Sequence, residues 1–343
     1  MKTKELTYRS RLSQHQTEKA IELIKDFFSK NLAASLRLRR VTAPVIVQAG
    51  LGINDDLNGI EKPVSFSAKS MNGQRIEIVQ SLAKWKRLTL HTLNIEAGMG
   101  IYTDMNALRT DEDTDATHSI YVDQWDWEKR LLPEQRNADF LRSTVRKIYQ
   151  EIKKTEFMIS EEFNGIEPIL PDEITFFHSQ DLATLYPTLT VKQREKEVCK
   201  KYGSVFIEGI GYPLLDGKPH DGRAPDYDDW LTLREDGKRG LNGDIFVWNP
   251  VLQDAFELSS MGIRVNPKSM IEQLNMMECT QRKELWFHQQ LIKDIFPDSI
   301  GGGIGQSRLC MLLLRKAHIG KVQASVWSKE TIDDCKNQGI SLF

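Results

Sequence analysis

The sequence predicts an α+β domain in which helices flank an antiparallel sheet. Two observations point to this class: apolar residues recur at helical spacing near both ends of the chain, and several hairpin-like strands lie between them. The composition agrees, because 40% of the residues are hydrophobic and 27% are charged, which is typical of globular proteins. The length of 343 residues allows one large domain or two smaller ones.

The first part of the chain predicts a helix, a strand and a hairpin. A helical pattern runs from Leu12 to Leu36. The strand predicted at Val41–Val47 contains Pro44, which cannot donate to a ladder and therefore favours an edge position. After a turn-rich loop at residues 50–59, the hairpin comprises Val64–Ser70 and Arg75–Val79 around Asn72-Gly73.

The remaining elements alternate between helices and strands. A helix over Ser81–Leu93 is predicted to begin with Ser81 as its N-cap. A polar loop at Arg109–Thr117 precedes a strand at Ser119–Trp127 and a long helix at Glu134–Glu162. A loop at residues 211–243 follows. The last elements are strands at Asp244–Trp248 and Ala255–Val265 and helices around Lys268–Phe296 and Ser307–Ala317, the two helices separated by the glycine run at residues 301–305.

Charge and cysteine content restrict the class of protein. Lys and Arg total 46 against 48 Asp and Glu, so the chain lacks the bulk positive charge that favours nucleic acid or anionic membranes. The four cysteines form no CxxC pair, which disfavours structural zinc and favours reduced thiols. The N-terminus has no apolar signal region, and no apolar stretch approaches the ~20 residues of a membrane span. We therefore expect a soluble cytoplasmic protein.

Polar residues alternate along the strand after the polar loop. Period-2 alternation places Gln124, Asp126 and Glu128 on one face, and Trp125 and Trp127 on the other. Because unpaired buried carboxylates are unfavourable, the polar face either contacts solvent or lines a polar site. The pattern does not distinguish these two interpretations.

Two further clusters are compatible with nucleotide chemistry. Asp244 and Glu257 on neighbouring strands could hold Mg2+, which prefers oxygen ligands, and Glu257 is predicted to share a face with Ser259. The acidic run at residues 226–229 is typical of a solvent-exposed turn. The glycine run before the last helix is either a flexible turn or a phosphate contact, with Arg308 on the first helical turn.

These clusters resemble the three motifs of the class II aminoacyl-tRNA synthetase core. The long helix followed by the strand with Pro44 resembles motif 1, which forms the dimer interface in that family. Arg109 with Glu112 resembles motif 2 and its acidic loop, and Gly303–Arg308 resembles motif 3.

Longer strings are similar to the ammonia-dependent asparagine synthetase family. They cover nearly the whole chain and include SLAKWKR from Ser81, YVDQWDWE from Tyr121, RAPDYDDW from Arg223, AFELSSMGIRV from Ala255 and GGGIGQSR from Gly301. The resemblance implies the antiparallel core of aspartyl- and asparaginyl-tRNA synthetases without an anticodon-binding domain. We therefore expect residues 1–343 to form a single catalytic domain.

The resemblance implies that L-aspartate, ATP and free ammonia are converted into L-asparagine, AMP and diphosphate through β-aspartyl-AMP. It also implies a Mg2+ ion and a homodimer, with no nucleic-acid or membrane partner. Two other functions stay open: a paralogue that transfers activated aspartate to tRNA, and a nucleotide-binding regulator without catalysis. The missing anticodon module and near-neutral charge disfavour the first, and the retained motif residues disfavour the second.

The matched positions imply a role for each candidate residue. Arg109 would bind the α-phosphate, Arg308 would bind the nucleotide or a substrate carboxylate, and Asp244 with Glu257 would hold Mg2+. The implied ATP site is completed by Glu112, Ser259, Gly303 and Gly305. Which carboxylate handles ammonia stays open. The residues expected around aspartate and ammonia are Asp55, Ser81, Lys86, Gln124, Asp126, Asp228 and Ser260.

Overall fold

A computed structural model describes residues 8–55, 57 and 61–343 of the chain. The predicted N-terminal helix is confirmed as α1, Gln14–Leu36. Ser13 begins it with a reciprocal cap, because its Oγ accepts from the Gln16 N–H and its own N–H donates to Gln16 Oε1. The helix ends at Arg37, whose φ of 61° turns the chain away.

The single strand predicted at Val41–Val47 is wrong, because only its last two residues lie in a strand and two short strands of different sheets replace it. They are β1, Leu38–Arg40, and β2, Ile46–Gln48, and Pro44 lies in the connection between them. The hairpin is confirmed as β3, Ser65–Ser67, and β4, Arg75–Ile78, which pair antiparallel. Its loop covers residues 68–74, longer than a two-residue turn. Residues 56 and 58–60 of the predicted loop before it lie outside the described part of the chain.

The middle of the chain forms most of the main sheet and its helices. Ser81 is not the N-cap of α2: Leu82 holds that position, while Ser81 Oγ accepts from the Ala83 N–H at 3.1 Å. The elements in order are α2, Ala83–Thr92; β5, Gly100–Leu108; β6, Tyr121–Arg130; α3, Ala138–Glu162; β7, Thr175–His178; α4, Ser179–Leu185; α5, Val191–Tyr202; and β8, Ser204–Glu208.

Two predictions near the C-terminus need correction. The helix predicted at Lys268–Phe296 is two helices joined by a 3-10 turn, and the glycine run at residues 301–305 is a strand instead of a turn. The elements are β9, Asn242–Asn249; β10, Asp254–Ile263; α6, Pro267–Met276; α7, Trp286–Ile292; β11, Ser299–Gly305; α8, Gln306–Leu313; and α9, Lys329–Asn337. In the described part of the chain, none of the helices is long and apolar enough to cross a membrane.

The main sheet in the described residues has eight strands in the order β1-β5-β6-β11-β10-β9-β8-β7. The inner pairs are antiparallel, whereas the edge strands β1 and β7 run parallel to β5 and β8. Strands β2, β4 and β3 form a separate small sheet. This antiparallel centre flanked by helices confirms the predicted fold class.

Helices α1, α3 and α8 cover one face of the main sheet with apolar side chains. Trp125 and Trp127 of β6 point into this core, where the Phe28 and Trp125 ring centroids lie 4.6 Å apart. The alternate residues of β6 therefore face the other side, where α2 packs against only part of the sheet. That side is free to hold a polar site.

We predict that Phe28→Ala lowers the free energy of unfolding by about 3–5 kcal/mol, because it opens a cavity beside Trp125. The control is Phe157→Ala on α3, whose side chain is 62% exposed, whereas Phe28 is 0% exposed. Urea unfolding followed by tryptophan fluorescence would measure both variants. Equal losses of stability would contradict this view of the core.

Candidate active site

A cavity of about 460 Å3 lies on the polar face of the main sheet. Strands β6, β11, β10 and β9 supply its floor, and α2 with the loops after β5 and before β9 supply its walls. Asp55 is not among the residues that line it: Asp55 is buried, and its Oδ1 lies 3.7 Å from Nζ of Lys84. The other predicted site residues line the cavity together: Ser81, Lys86, Arg109, Glu112, Gln124, Asp126, Asp228, Asp244, Glu257, Ser259, Ser260, Gly303, Gly305 and Arg308.

The glycines of β11 make room for the polar side chains of the adjacent strands. A Cβ on Gly303 would lie 2.0 Å from Gln124 Oε1, and one on Gly301 would lie 1.8 Å from Glu128 Oε2. The interpretation of this run as a flexible turn is wrong, since residues 301–305 pair with both β6 and β10, whereas Gly303 and Gly305 line the cavity and their contact with phosphate stays a prediction. Only Gly305 lies at a helix start, as the N-cap of α8.

A β-bulge decides which residues of β10 face the cavity. The register against β9 shifts between Glu257 and Ser259, so the prediction that these two share a face is wrong. Instead, Ser260 pairs with Asp244 across the strands, and its Oγ donates to Glu257 Oε1 at 2.9 Å. Ser259 Oγ donates to the carbonyl oxygen of Gly303. The bulge therefore brings Glu257, Ser260 and Asp244 to one face.

Asp244 and Glu257 form an acidic pair between two arginines. Arg223 Nη2 donates to Asp244 Oδ1 at 2.5 Å, and Arg308 Nη1 lies 3.5 Å from Glu257 Oε2. Burial raises the pKa of Asp244 to about 7, opposed by the charge of Arg223 and assisted by that of Glu257. Burial acts in the same direction on Glu257, but the charge of Arg308 and the bond from Ser260 hold its pKa below the usual range.

The pair has the oxygen donors that Mg2+ prefers. The described residues contain no group of three or more His, Cys, Asp or Glu that could hold a metal ion. A Mg2+ ion at Asp244 and Glu257 would therefore take its other ligands from phosphates and water, as is usual for this ion. The donor set is compatible with the predicted metal.

Lys86 and Asp126 form a buried ion pair at the floor. Lys86 is 0% exposed, and its Nζ donates to Asp126 Oδ1 and, at 3.0 Å, to the carbonyl oxygen of Gly302. Burial lowers the pKa of Lys86, although the charge of Asp126 opposes this shift. Asp126 Oδ2 has no hydrogen-bond partner among the described residues. The polar face of β6 thus lines a site and is not solvated, and this oxygen is available to a cation.

Arg264 joins the floor to the acidic loop before β9. Its guanidinium lies 2.7 Å from Glu128 Oε2 and 2.5 Å from Asp228 Oδ1, and all three groups are buried. The run at residues 226–229 is therefore not a solvated turn. Asp226 is also buried and pairs with Lys84 and His288.

Arg109, which follows β5, also lines the cavity. Its Nη1 lies 4.0 Å from Glu112 Oε2, and its Nε donates to the carbonyl oxygen of Gln80 at 3.3 Å. Gln80 and Arg223 also line the cavity, although neither was predicted as a site residue. A single glutamine before a helix gives no pattern, whereas Arg223 stood in the string RAPDYDDW and could have been selected as the partner of the nearby carboxylates.

Comparisons with known proteins agree on one family. A family model described as aspartate-ammonia ligase matches residues 15–339. An aspartate–ammonia ligase from Parabacteroides distasonis is 54% identical over 336 residues, covering 98% of this chain and 97% of the relative. One from Clostridium perfringens is similar to the same extent: 54% over 336 residues, with 98% and 97% coverage.

Solved structures show a likeness of fold. Asparaginyl-tRNA synthetase from Pyrococcus horikoshii, complexed with asparaginyl-adenylate, gives a TM-score of 0.67 at 11% identity, covering 91% of this chain and 70% of that one. The Entamoeba histolytica enzyme with the same adenylate gives 0.64 at 14% identity, covering 90% and 66%. At these identities the likeness concerns the fold alone, which is the class II synthetase fold that the motifs indicate.

We predict that Glu128 stabilises the fold in a pH-dependent way. Burial raises its pKa, but the charge and hydrogen bonds of Arg264, together with Lys86 and Ser299, outweigh burial and hold the pKa below its ordinary 4.5. A lowered folded-state pKa means that the stabilisation is complete above about 4.5 and is lost as the pH falls further. The difference in unfolding free energy between wild type and Glu128→Gln should therefore shrink between pH 6 and pH 3.

Urea unfolding at a series of pH values would measure this difference. Glu161→Gln, at an exposed position of α3, serves as the control and should follow the wild-type curve. A difference for Glu128→Gln that stays constant over the whole range would contradict the ion-pair argument.

Proposed function

The chain belongs to the aspartate–ammonia ligase family, and from that premise we propose that its cavity activates aspartate with ATP before ammonia attacks. The chain is a ligase that makes asparagine by forming a C–N bond between aspartate and ammonia. The adenylate route and the residue roles below are our proposal.

One observation supports the route best: a single cavity contains separate groups for a triphosphate and for an amino acid. Arg109 and the Asp244–Glu257 pair line it together with the Lys86–Asp126 ion pair, which lies at the floor. A carboxylate is a poor electrophile at neutral pH, so activation requires that the β-carboxylate attack the α-phosphorus of ATP. Placing both substrates in one cavity supplies the proximity that this step needs.

On the nucleotide side, Arg109 binds the α-phosphate and stabilises the charge that develops in adenylation. Arg308, whose guanidinium lies 5.9 Å from the Phe256 ring centroid, contacts the nucleotide. Asp244 and Glu257 would hold Mg2+, which would neutralise phosphate charge when bound. Four further residues shape this part of the site: Glu112, Ser259, Gly303 and Gly305.

On the aspartate side, Asp126 Oδ2 accepts from the α-ammonium group and Lys86 faces a carboxylate. Asp228 contributes through Arg264, which it helps to position. Asp55 acts on the wall through Lys84. Neutral hydrogen bonds come from Ser81, Gln124 and Ser260.

We further propose that residues 1–343 form one catalytic domain and that two copies form a homodimer through the motif 1 region. A cytoplasmic location is supported by the low cysteine content, four in 343 residues, which is typical of proteins that keep reduced thiols. No nucleic acid is needed in this scheme, because ammonia and not tRNA receives the activated aspartate.

Product analysis tests the proposed route. With aspartate, ATP, Mg2+ and ammonium, we expect asparagine and AMP in equal amounts. Omitting ammonium should leave only aspartate-dependent exchange of diphosphate into ATP. Formation of ADP in place of AMP would exclude the adenylate, and charging of tRNA without asparagine would favour the tRNA-ligase alternative.

We predict that Arg109→Ala lowers the rate of aspartate-dependent ATP–diphosphate exchange by about 100-fold or more, because charge stabilisation in the transition state is lost. Arg75→Ala, at an exposed position of β4, is the matched control and should keep the wild-type rate. Exchange at the wild-type rate in Arg109→Ala would contradict the assigned role.

A further inference from the structure

The side chain of Gln80 is buried in the cavity wall without a hydrogen-bond partner. It is 0% exposed, and neither Oε1 nor Nε2 has a partner among the described residues. Gln80 also lines the cavity. Because an unsatisfied buried amide is unfavourable, such a group is expected to bind a ligand that the cavity holds.

The backbone of Gln80 is fixed on both sides. Its N–H donates to Asn54 Oδ1 at 2.9 Å, and its carbonyl oxygen accepts from Arg109 Nε at 3.3 Å. Arg109 is the residue to which we assign the α-phosphate. Gln80 therefore lies next to the position where the phosphate of β-aspartyl-AMP joins the acyl group.

The chemistry of ammonia favours a neutral acceptor at this position. Ammonia attacks with its lone pair, and its N–H groups must meanwhile be held by acceptors. A carboxylate would also bind ammonium, which is abundant at neutral pH and has no lone pair to attack with. An amide oxygen accepts from ammonia without adding negative charge, and the amide N–H groups can donate to an acyl oxygen.

We propose that Gln80 positions ammonia for attack on β-aspartyl-AMP, an inference that rests on the proposed function. Oε1 accepts a hydrogen bond from ammonia, and Nε2 donates to the carbonyl oxygen of the acyl group. The nitrogen lone pair forms the C–N bond, and the C–O bond to the phosphate breaks. AMP leaves with that electron pair, and one proton passes from nitrogen to solvent.

Another side chain of the cavity, Asp126, has an unpartnered oxygen of different chemistry, Oδ2. It belongs to a carboxylate whose other oxygen already accepts from Lys86, so it suits the α-ammonium group of aspartate, which is cationic at neutral pH. The anionic acceptor is thus assigned to the amino acid and the neutral acceptor, Gln80, to ammonia.

Two substitutions at Gln80 test this assignment. Gln80→Leu removes both polar atoms at similar volume, and we expect the KM for ammonium to rise roughly tenfold, the value of one lost hydrogen bond. Aspartate-dependent ATP–diphosphate exchange, which needs no ammonia, should fall less than asparagine formation does, because that step loses only the Nε2 bond to the acyl group. The matched control is Gln74→Leu at an exposed turn position, which should change neither quantity.

Gln80→Glu keeps an acceptor oxygen but makes it anionic. The anionic side chain should bind ammonium in preference to ammonia. The increase of kcat/KM for ammonium with pH should therefore occur at a higher pH than in wild type. A loss of packing in the cavity wall would not cause such a shift. This variant also provides the test if Gln80→Leu does not fold.

Three results would overturn the assignment. They are an unchanged KM for ammonium in Gln80→Leu, a loss of diphosphate exchange as large as the loss of asparagine formation, or an unchanged pH profile in Gln80→Glu. Failure of the proposed function itself is distinct, since wild type would then form no AMP or asparagine.

Discussion

The buried ion pairs of Arg264 are the interaction on which the site depends. One guanidinium contacts Glu128 on β6 and Asp228 in the loop before β9, and so joins the floor to a wall. Removing one partner of such a group leaves an uncompensated charge away from water, which is strongly destabilising. The same requirement explains the rest of the cavity, where buried charges are paired with one another. The few polar atoms that lack a partner among the described residues therefore identify positions for ligand groups.

Much of the site could be predicted because it follows from local patterns. The alternation from Gln124 to Glu128 depends only on the period of a strand, and the helical spacing in α1 depends only on the period of a helix. The resemblance to a family then indicated that motif residues far apart along the chain lie in one site. The structure confirms that Arg109, Asp244 and Arg308 line one cavity, although no spacing along the chain relates them.

The errors occurred where pairing between strands decides the outcome. The bulge that turns Glu257 and Ser260 to one face depends on the register of β10 against β9, which alternation within one strand cannot reveal. A run of glycines has low strand propensity, yet residues 301–305 form β11. Only glycine fits at residues 301–303, because side chains of the neighbouring strands β6 and β10 occupy the space that a Cβ would need. Gln80 could not be predicted, because what distinguishes it is a buried side-chain amide without hydrogen-bond partners. Neither its burial nor its missing partners can be read from the sequence.

The glycine strand also determines how the enzyme could be altered. Where β11 passes under the cavity it contributes backbone alone, and the space above it is already filled by Gln124 and Glu128. At the floor, β11 therefore has no side chain that could be shortened to enlarge the cavity, and there is little space for a larger one. A change of amino-acid preference or of attacking amine would have to come from loop residues around the rim that belong neither to the buried ion pairs nor to the nucleotide site. Laboratory evolution of a new amide-forming ligase on this scaffold would best randomise those residues and keep β11, Arg109 and Asp228 fixed.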